Sequence, residues 1–320
     1  MNNKSYLFGL LMVLLYNFLD AGKEVYSGFL VQENHPLSIT FIVFSIAMVF
    51  FQLYGVSFSR QNYLSTMRFF TQILILNLTT AGSWISFFYC MQYLEPAVAS
   101  AIITGVAPLL IIYIAPVFFK NESHQYKTIF IFCITFCSLW LAAISLREGR
   151  LTYNYSSSEI LIGVLMAVIC SVFSIFSNIF SRRLSDRGCL PSSIMAHRFY
   201  ITVLITMSYS LDSSGYKGVI EILSPGIAIL AIFGVVIPLW CLQHGIKSLS
   251  PARVMVFISV NPIFTFVFQL FDPRLSPSLS SLVAILLICF FSLASELWGI
   301  KPKGRVEADG YHGIPEDRRN

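Results

Sequence analysis

Charge is what this chain has least of. Asp, Glu, Lys and Arg together make up 12% of its 320 residues, whereas 56% are hydrophobic. A soluble domain carries roughly 25% charged residues, and no soluble fold of this length could hide so much apolar surface. Also missing is the G-x-x-x-x-G-K-[ST] loop that cradles nucleotide phosphates, so ATP is not the expected energy source. There is no H-E-x-x-H, no G-x-S-x-G and no assembled nucleophile–base pattern. An intramembrane enzyme built on Asp20, His197 or His244 is therefore disfavoured, as is a purely structural or receptor role. The seven cysteines form no C-x-x-C pair. Cys133 and Cys137 share a helix face but have no His or carboxylate close in sequence, so neither metal nor cofactor is expected.

What is present is hydrocarbon in membrane-length pieces. Apolar stretches of about the ~20 residues that span a bilayer recur ten times, near 5–28, 36–58, 69–94, 96–119, 127–146, 159–181, 192–211, 226–249, 251–271 and 279–299. Lipid offers the backbone no hydrogen-bond partner, so such spans read as helices. The expected fold class is an all-α polytopic membrane protein.

The sequence also repeats itself. Sliding Leu7–Leu30 onto Leu161–Leu184 without a gap places Leu7, Gly9, Leu11, Met12, Ser27 and Leu30 on identical residues, and Pro108 falls on Pro262 at the same offset. A repeat unit holding five spans must sit upside down in its second copy, an architecture of secondary transporters. The expected organisation is a first five-helix repeat over 1–150, an inverted second over 151–300, and a disordered cytoplasmic tail over 301–320.

Loop charges orient the bundle. With the N-terminus inside, Lys4, Arg60, Arg68, Lys120, Lys127, Arg182, Arg183, Arg187, Lys247, Lys301, Lys303, Arg305, Arg318 and Arg319 are cytoplasmic, against Arg147, Arg150, Lys217 and Arg274 on the other side. The positive-inside rule then places both termini in the cytoplasm. The net charge of +5 is thus a topology signal. Its cations are scattered over short loops, which excludes nucleic acid as a partner. Lys4 before an apolar run resembles a signal peptide, but Asn17, Asp20, Lys23 and Glu24 follow and no A-x-A site appears, so a retained first span is expected. Asn154-Tyr155-Ser156 matches the short glycosylation pattern in an external loop.

Polar groups at membrane depth cost at least ~2.5 kcal/mol each for a charge, so each needs a partner or water. In the first span Asn17, Asp20 and Glu24 share a helix face with Tyr16, and Lys23 is spaced to pair with Asp20. That face should line a cavity, unless Lys23 and Glu24 snorkel to the outer interface. Trp84, Phe88, Gln92 and Glu95 form a stripe on the third span, and Trp240, Gln243, His244 and Lys247 another on the eighth. Glu95 and Lys247 sit at span ends and read as interfacial. His197 and Arg198 complete the set, and Arg198 requires a counter-ion such as Asp20 or an anionic substrate. Pro96 and Pro251 read as helix starts. Pro108 and Pro262 lie mid-span, where a missing N–H bends a helix, and are candidate hinges or cavity walls.

These residues carry a resemblance. Phe87-Phe88-Tyr89-Cys90-Met91-Gln92-Tyr93-Leu94-Glu95-Pro96-Ala97 with Pro108, and Gln243-His244-Gly245-Ile246-Lys247-Ser248-Leu249-Ser250-Pro251-Ala252 with Pro262, resemble the ten-helix, two-repeat EamA-like branch of the drug/metabolite transporter superfamily. Asn121-Glu122 resembles an acidic residue that members carry after the fourth span; Asp272-Pro273 in the second copy departs from it. Arg198 matches an arginine common in its helix, and Ile42-Val43-Phe44 of the first half lacks it. The resemblance implies ten transmembrane helices and secondary transport of a small polar or amphiphilic metabolite, most simply export driven by an ion gradient, protons being a candidate coupling ion. The alternative is exchange of nucleotide-like or phosphorylated solutes at Arg198, His197 and Lys23. The expected location is a bacterial inner membrane; oligomeric state is open.

Overall fold

A computed structural model of the chain describes residues 3–118, 128–148, 155–275 and 278–299. The tail 301–320, Asn121, Glu122, Asn154 and the 150/151 repeat boundary lie outside the described residues. Among the described residues there is no strand. The described helices group into ten long segments near the ten expected places. They are α1 (Asn3–Glu33), α2 (Pro36–Phe58), α3 (Phe70–Tyr93, after a short helix Arg60–Thr66 and a 3-10 turn Met67–Phe69), α4 (Pro96–Phe118) and α5 (Thr128–Glu148). Then follow α6 (Ser157–Asp186), α7 (Tyr200–Ile222, after a short helix Pro191–Ala196), α8 (Pro225–Ser248), α9 (Pro251–Ile258 and Asn261–Gln269) and α10 (Leu279–Gly299). Five stretches, Lys4–Glu33, Pro36–Phe58, Arg60–Tyr93, Ser157–Asp186 and Pro225–Ser248, are long and apolar enough to cross a membrane by length and composition.

Side chains are distributed as lipid demands. Phe58, Phe136, Phe271 and Leu279 stand on the outside, more than two-thirds exposed, whereas Asn17, Asp20, Lys23, Glu24 and Arg198 are buried. A water-soluble protein inverts this arrangement; in a bilayer the solvent is hydrocarbon and the polar groups retreat inward. The chain is a polytopic membrane protein.

Each helix start has a local cause. Pro36, Pro191, Pro225 and Pro251 stand at the first or second helical position, where a missing N–H costs nothing. Ser156 and Glu159 cap α6 reciprocally. At the start of α4 the amide of Ala97 donates to Gln269 Oε1 of α9 at 3.1 Å, so one end is capped by another helix.

The two halves pack reciprocally. α1 packs on α8 and α9, and correspondingly α6 packs on α3 and α4; α2 meets α7, α4 meets α9, and α5 meets α10. The glycines matched by the repeat mark these seams. A Cβ on Gly9 would lie 2.7 Å from Ser248 Cβ in the α8–α9 turn, and one on Gly163 would lie 2.9 Å from Leu94 in the α3–α4 turn. Only glycine lets these helices approach so closely.

Three helices depart from the expected continuous spans. The seventh span, expected over 192–211, is split: the chain turns at His197–Phe199 and α7 then runs on to Ile222. Asn77 of α3 repairs the split, its Nδ2 donating to His197 O at 2.5 Å while its Oδ1 accepts from Ile201 N at 3.3 Å. A foreign amide thus replaces the missing helical partners, a tolerated route to a broken helix in lipid. The ninth span breaks at Ser259–Val260, just before Pro262, whereas α4 continues as helix through position 108. In α8, Leu230–Val236 is wound as π-helix ahead of Pro238, a widened turn that accommodates a proline.

Candidate functional site

The first helix supplies the charge. Asn17, Asp20 and Glu24 fall on one face of α1, and each meets α9 at nearly constant register. Asn17 Nδ2 donates to Phe257 O at 2.7 Å, Asn261 Nδ2 donates to Asp20 Oδ2 at 3.4 Å, and Thr265 Oγ1 donates to Glu24 Oε2 at 2.5 Å. Lys23 Nζ donates to Asp20 Oδ1 at 2.6 Å, with its ammonium 4.7 Å from the Trp84 ring centre and 4.1 Å from that of Phe87. A cation over aromatic faces is stabilised without water. Gly234 of α8 makes room for it, since a Cβ there would lie 2.9 Å from Lys23 Cγ. Lys23 and Glu24 are 4% and 3% exposed, so neither snorkels to an interface.

Arg198 occupies the opposite wall. The break before α7 places it beside the α3–α6 seam, where Nε donates to Thr80 Oγ1 at 3.0 Å and Nη2 to Ser177 Oγ at 2.5 Å. Among the described residues no carboxylate lies within 4.0 Å of it; the expected counter-ion Asp20 is taken by Lys23. The seam itself is built from small residues: Ser83 and Ser174 bond at 2.7 Å, and a Cβ on Gly82 would lie 2.5 Å from the Phe173 ring.

Between these walls is a cavity of about 80 Å³, bounded by Tyr16, Asp20, Lys23 and Glu24 from α1, Trp84 and Phe87 from α3, and Arg198, with Thr104, Ser174, Asn178, Leu242 and Met255 from the surrounding helices. Ligand pockets measure about 300–1,000 Å³. This one is contracted around its own charged groups.

Of the residues singled out from sequence, the fold brings Tyr16, Asp20, Lys23, Trp84 and Arg198 to the cavity. Asn17 faces the α1–α9 seam instead. Phe88 is fully buried behind Trp84, and Gln92 lies further along α3, half-buried. His197 is clamped at the α7 break, its ring between Tyr200 Oη at 2.8 Å and Tyr63 O at 3.0 Å. The α8 stripe turns to α1, α2 and α6: Trp240 stacks parallel to Phe51, His244 contacts Trp240 and Phe8, and Gln243 Nε2 donates to Ser185 Oγ at 3.4 Å. Lys247 is exposed as expected, but Glu95 is buried in the α3–α4 turn. Pro262 is buried at the break in α9; Pro108 lies one residue beyond Ala107, which borders the cavity. Sequence reasoning passed over Thr80, Ser177, Asn261 and Thr265. Short hydroxyl side chains are common in membrane helices, and only the spacing of Asn261 and Thr265, one turn apart beside Pro262, hinted at a polar face.

Comparison with known proteins agrees with this architecture. Residues 161–294, in the second half of the chain, match the EamA-like transporter family, a domain of the drug/metabolite transporter superfamily. One of the solved structures that match the chain, a crystal structure of a protein, aligns with TM-score 0.67 at 15% identity, over 93% of this chain and 98% of that one. That likeness is one of fold and covers both halves of the chain. No curated protein matches the sequence.

Proposed function

We propose that the protein is a secondary transporter, not an enzyme, and that it moves a small polar or amphiphilic metabolite outward by alternating access around the Asp20–Lys23–Arg198 cavity. The observation that carries this reading is the cavity itself: two carboxylates and two cations buried where six helices meet the turn before α7, in a chain whose second half matches a transporter family. Buried charge in lipid is costly and is retained where a polar path requires it. At about 80 Å³ the cavity is small, and cargo enters when the halves rock apart. The reciprocal packing of α1 on α8 and α6 on α3 supports two inverted repeats as the moving parts. The loop charges support cytoplasmic termini, and the membrane of this reading is a bacterial inner membrane. An ion gradient, protons included, supplies the energy.

A second reading, exchange of a phosphorylated or otherwise anionic solute, is favoured by Arg198, whose guanidinium is held by hydroxyls and by no carboxylate among the described residues. Untargeted metabolite profiling of cells and medium, with and without the protein, identifies the cargo. Flux of that cargo into proteoliposomes without chemical change establishes transport; chemical conversion of the solute would overturn it. Counterflow that requires an anion on both sides would favour the exchanger.

A further inference from the structure

The α1–α9 seam, next to the cavity, gathers more acceptor oxygens than donors. Asp20 and Glu24 project from α1, Asn261 and Thr265 from α9, and Ser100 from α4. The amide of Asn261 sits among them, its Nδ2 donating to Ser100 Oγ at 3.1 Å and to Asp20 Oδ2 at 3.4 Å. Among the described residues its own Oδ1, on a residue 1% exposed, has no hydrogen-bond partner, and neither has Oδ1 of the fully buried Asn17 one turn below Asp20. A buried acceptor without a donor costs about 1–3 kcal/mol. Two such oxygens beside two carboxylates call for a positive charge.

Local charge sets its size. With both carboxyls ionised, Asp20, Lys23 and Glu24 leave one negative charge on α1, and Arg198 stands on the far wall with its own hydroxyl partners. Across the whole cavity Arg198 balances that charge, but it is held away by its hydroxyls, so one unit of positive charge neutralises the seam itself and a divalent ion overshoots it. A proton on Glu24 supplies a single O–H to a single acceptor. A hard cation takes several oxygens at once, and carboxylate, amide and hydroxyl oxygens all suit it. The backbone contributes as well. The first half of α9 ends at Ile258, three residues before Asn261, and the C-terminal end of a half-helix carries the negative end of its dipole, which favours a cation. Among the described residues no three His, Cys, Asp or Glu side chains converge, so this is no transition-metal centre.

We propose that the seam binds one alkali-metal cation, sodium, between Asp20, Glu24, Ser100, Asn261 and Thr265. Its role as coupling ion rests on the transport reading; its binding does not. The test uses the purified full-length protein in detergent at fixed pH and ionic strength, with NaCl replaced stepwise by choline chloride. The melting temperature rises with sodium along a saturating curve, and KCl shifts it less. Thr265→Val, which keeps the volume and removes one oxygen, raises the half-saturating sodium concentration by about tenfold, as loss of groups at an ion site does. Identical melting in NaCl and choline chloride overturns the proposal, and so does an unchanged sodium curve in Thr265→Val. Stabilisation that follows pH but ignores sodium would make the seam a proton site and overturn it too. Because binding is read without flux, sodium binding by a protein that carries nothing would sink the transport reading alone. Flux without sodium binding would sink the site alone.

Discussion

Lys23 Nζ lies 2.6 Å from Asp20 Oδ1, one helical turn along α1, with both side chains shut away from solvent. Removing one partner of such a pair strands the other. Lys23→Met should therefore destabilise the protein by about 3–5 kcal/mol, whereas Asp20→Asn combined with Lys23→Met should recover most of the loss. Denaturation of the three variants in detergent checks this. A double variant as unstable as Lys23→Met would show that the pair matters for packing and not for charge.

Arg198 should behave as a unit with its hydroxyl partners. Arg198→Ala is expected to abolish flux with tolerable expression. Arg198→Lys should rescue little, because an ammonium cannot reach Thr80 and Ser177 with one planar fork. A double-mutant cycle on stability should couple Arg198 to Ser177 and leave Arg198 and Asp20 additive within about 0.5 kcal/mol. Strong coupling to Asp20 would mean that the two pair in another conformation.

Much of this fold is readable in the amino-acid sequence because hydropathy and lipid leave few choices. Ten apolar runs become ten long segments, and the pairing of Lys23 with Asp20 follows from helical spacing alone. The break at His197–Phe199 is not readable in this way, since it depends on Asn77, which is 120 residues distant and repairs the turn from outside. The α8 stripe misled for a related reason. Trp240 and His244 lie on a polar-aromatic face, but periodicity shows that a face is shared and not which neighbour it meets. Here the neighbours are Phe51 and Phe8, and the cavity is elsewhere. Thr80 and Ser177 became legible only once Arg198 had a position.

Glycine substitutions should separate close seams from open ones. Gly163→Ala places a methyl 2.9 Å from Leu94 and Tyr93, and overpacking of that kind costs about 1–3 kcal/mol. Gly22→Ala meets only Phe268, at 3.9 Å, and should be tolerated. Melting temperatures of the two variants decide the matter. Equal effects would mean that the α3–α4 turn yields to α6.

Orientation can be checked independently of flux. Reporter fusions after Arg68 and after Asn320 should both report the cytoplasm, in keeping with the loop cations. An external signal at either position would reverse the assignment. Opposite signals would show that the number of crossings between them is odd.

The α1–α2 turn should respond to acid through His35. Its Nδ1 accepts from the amide of Leu37 at 3.3 Å and so caps α2, while Nε2 meets Tyr209 Oη at 3.0 Å and the ring stacks on Tyr209, with Tyr89 edge-on. Only a neutral ring can accept at Nδ1, and partial burial holds the imidazole below its ordinary 6.5. A folded pKa below the unfolded one has a definite sign: the contribution to stability is complete above the unfolded value and is lost as pH falls through the folded one. Melting temperature should therefore decline between about pH 7 and pH 5, the range in which histidine titrates. Other groups titrate there as well, so the comparison must be with His35→Asn, since asparagine caps a helix without taking up a proton. That variant should show a shallower decline and match or exceed the wild type at the acid end. Parallel curves for the two proteins would remove His35 as the source.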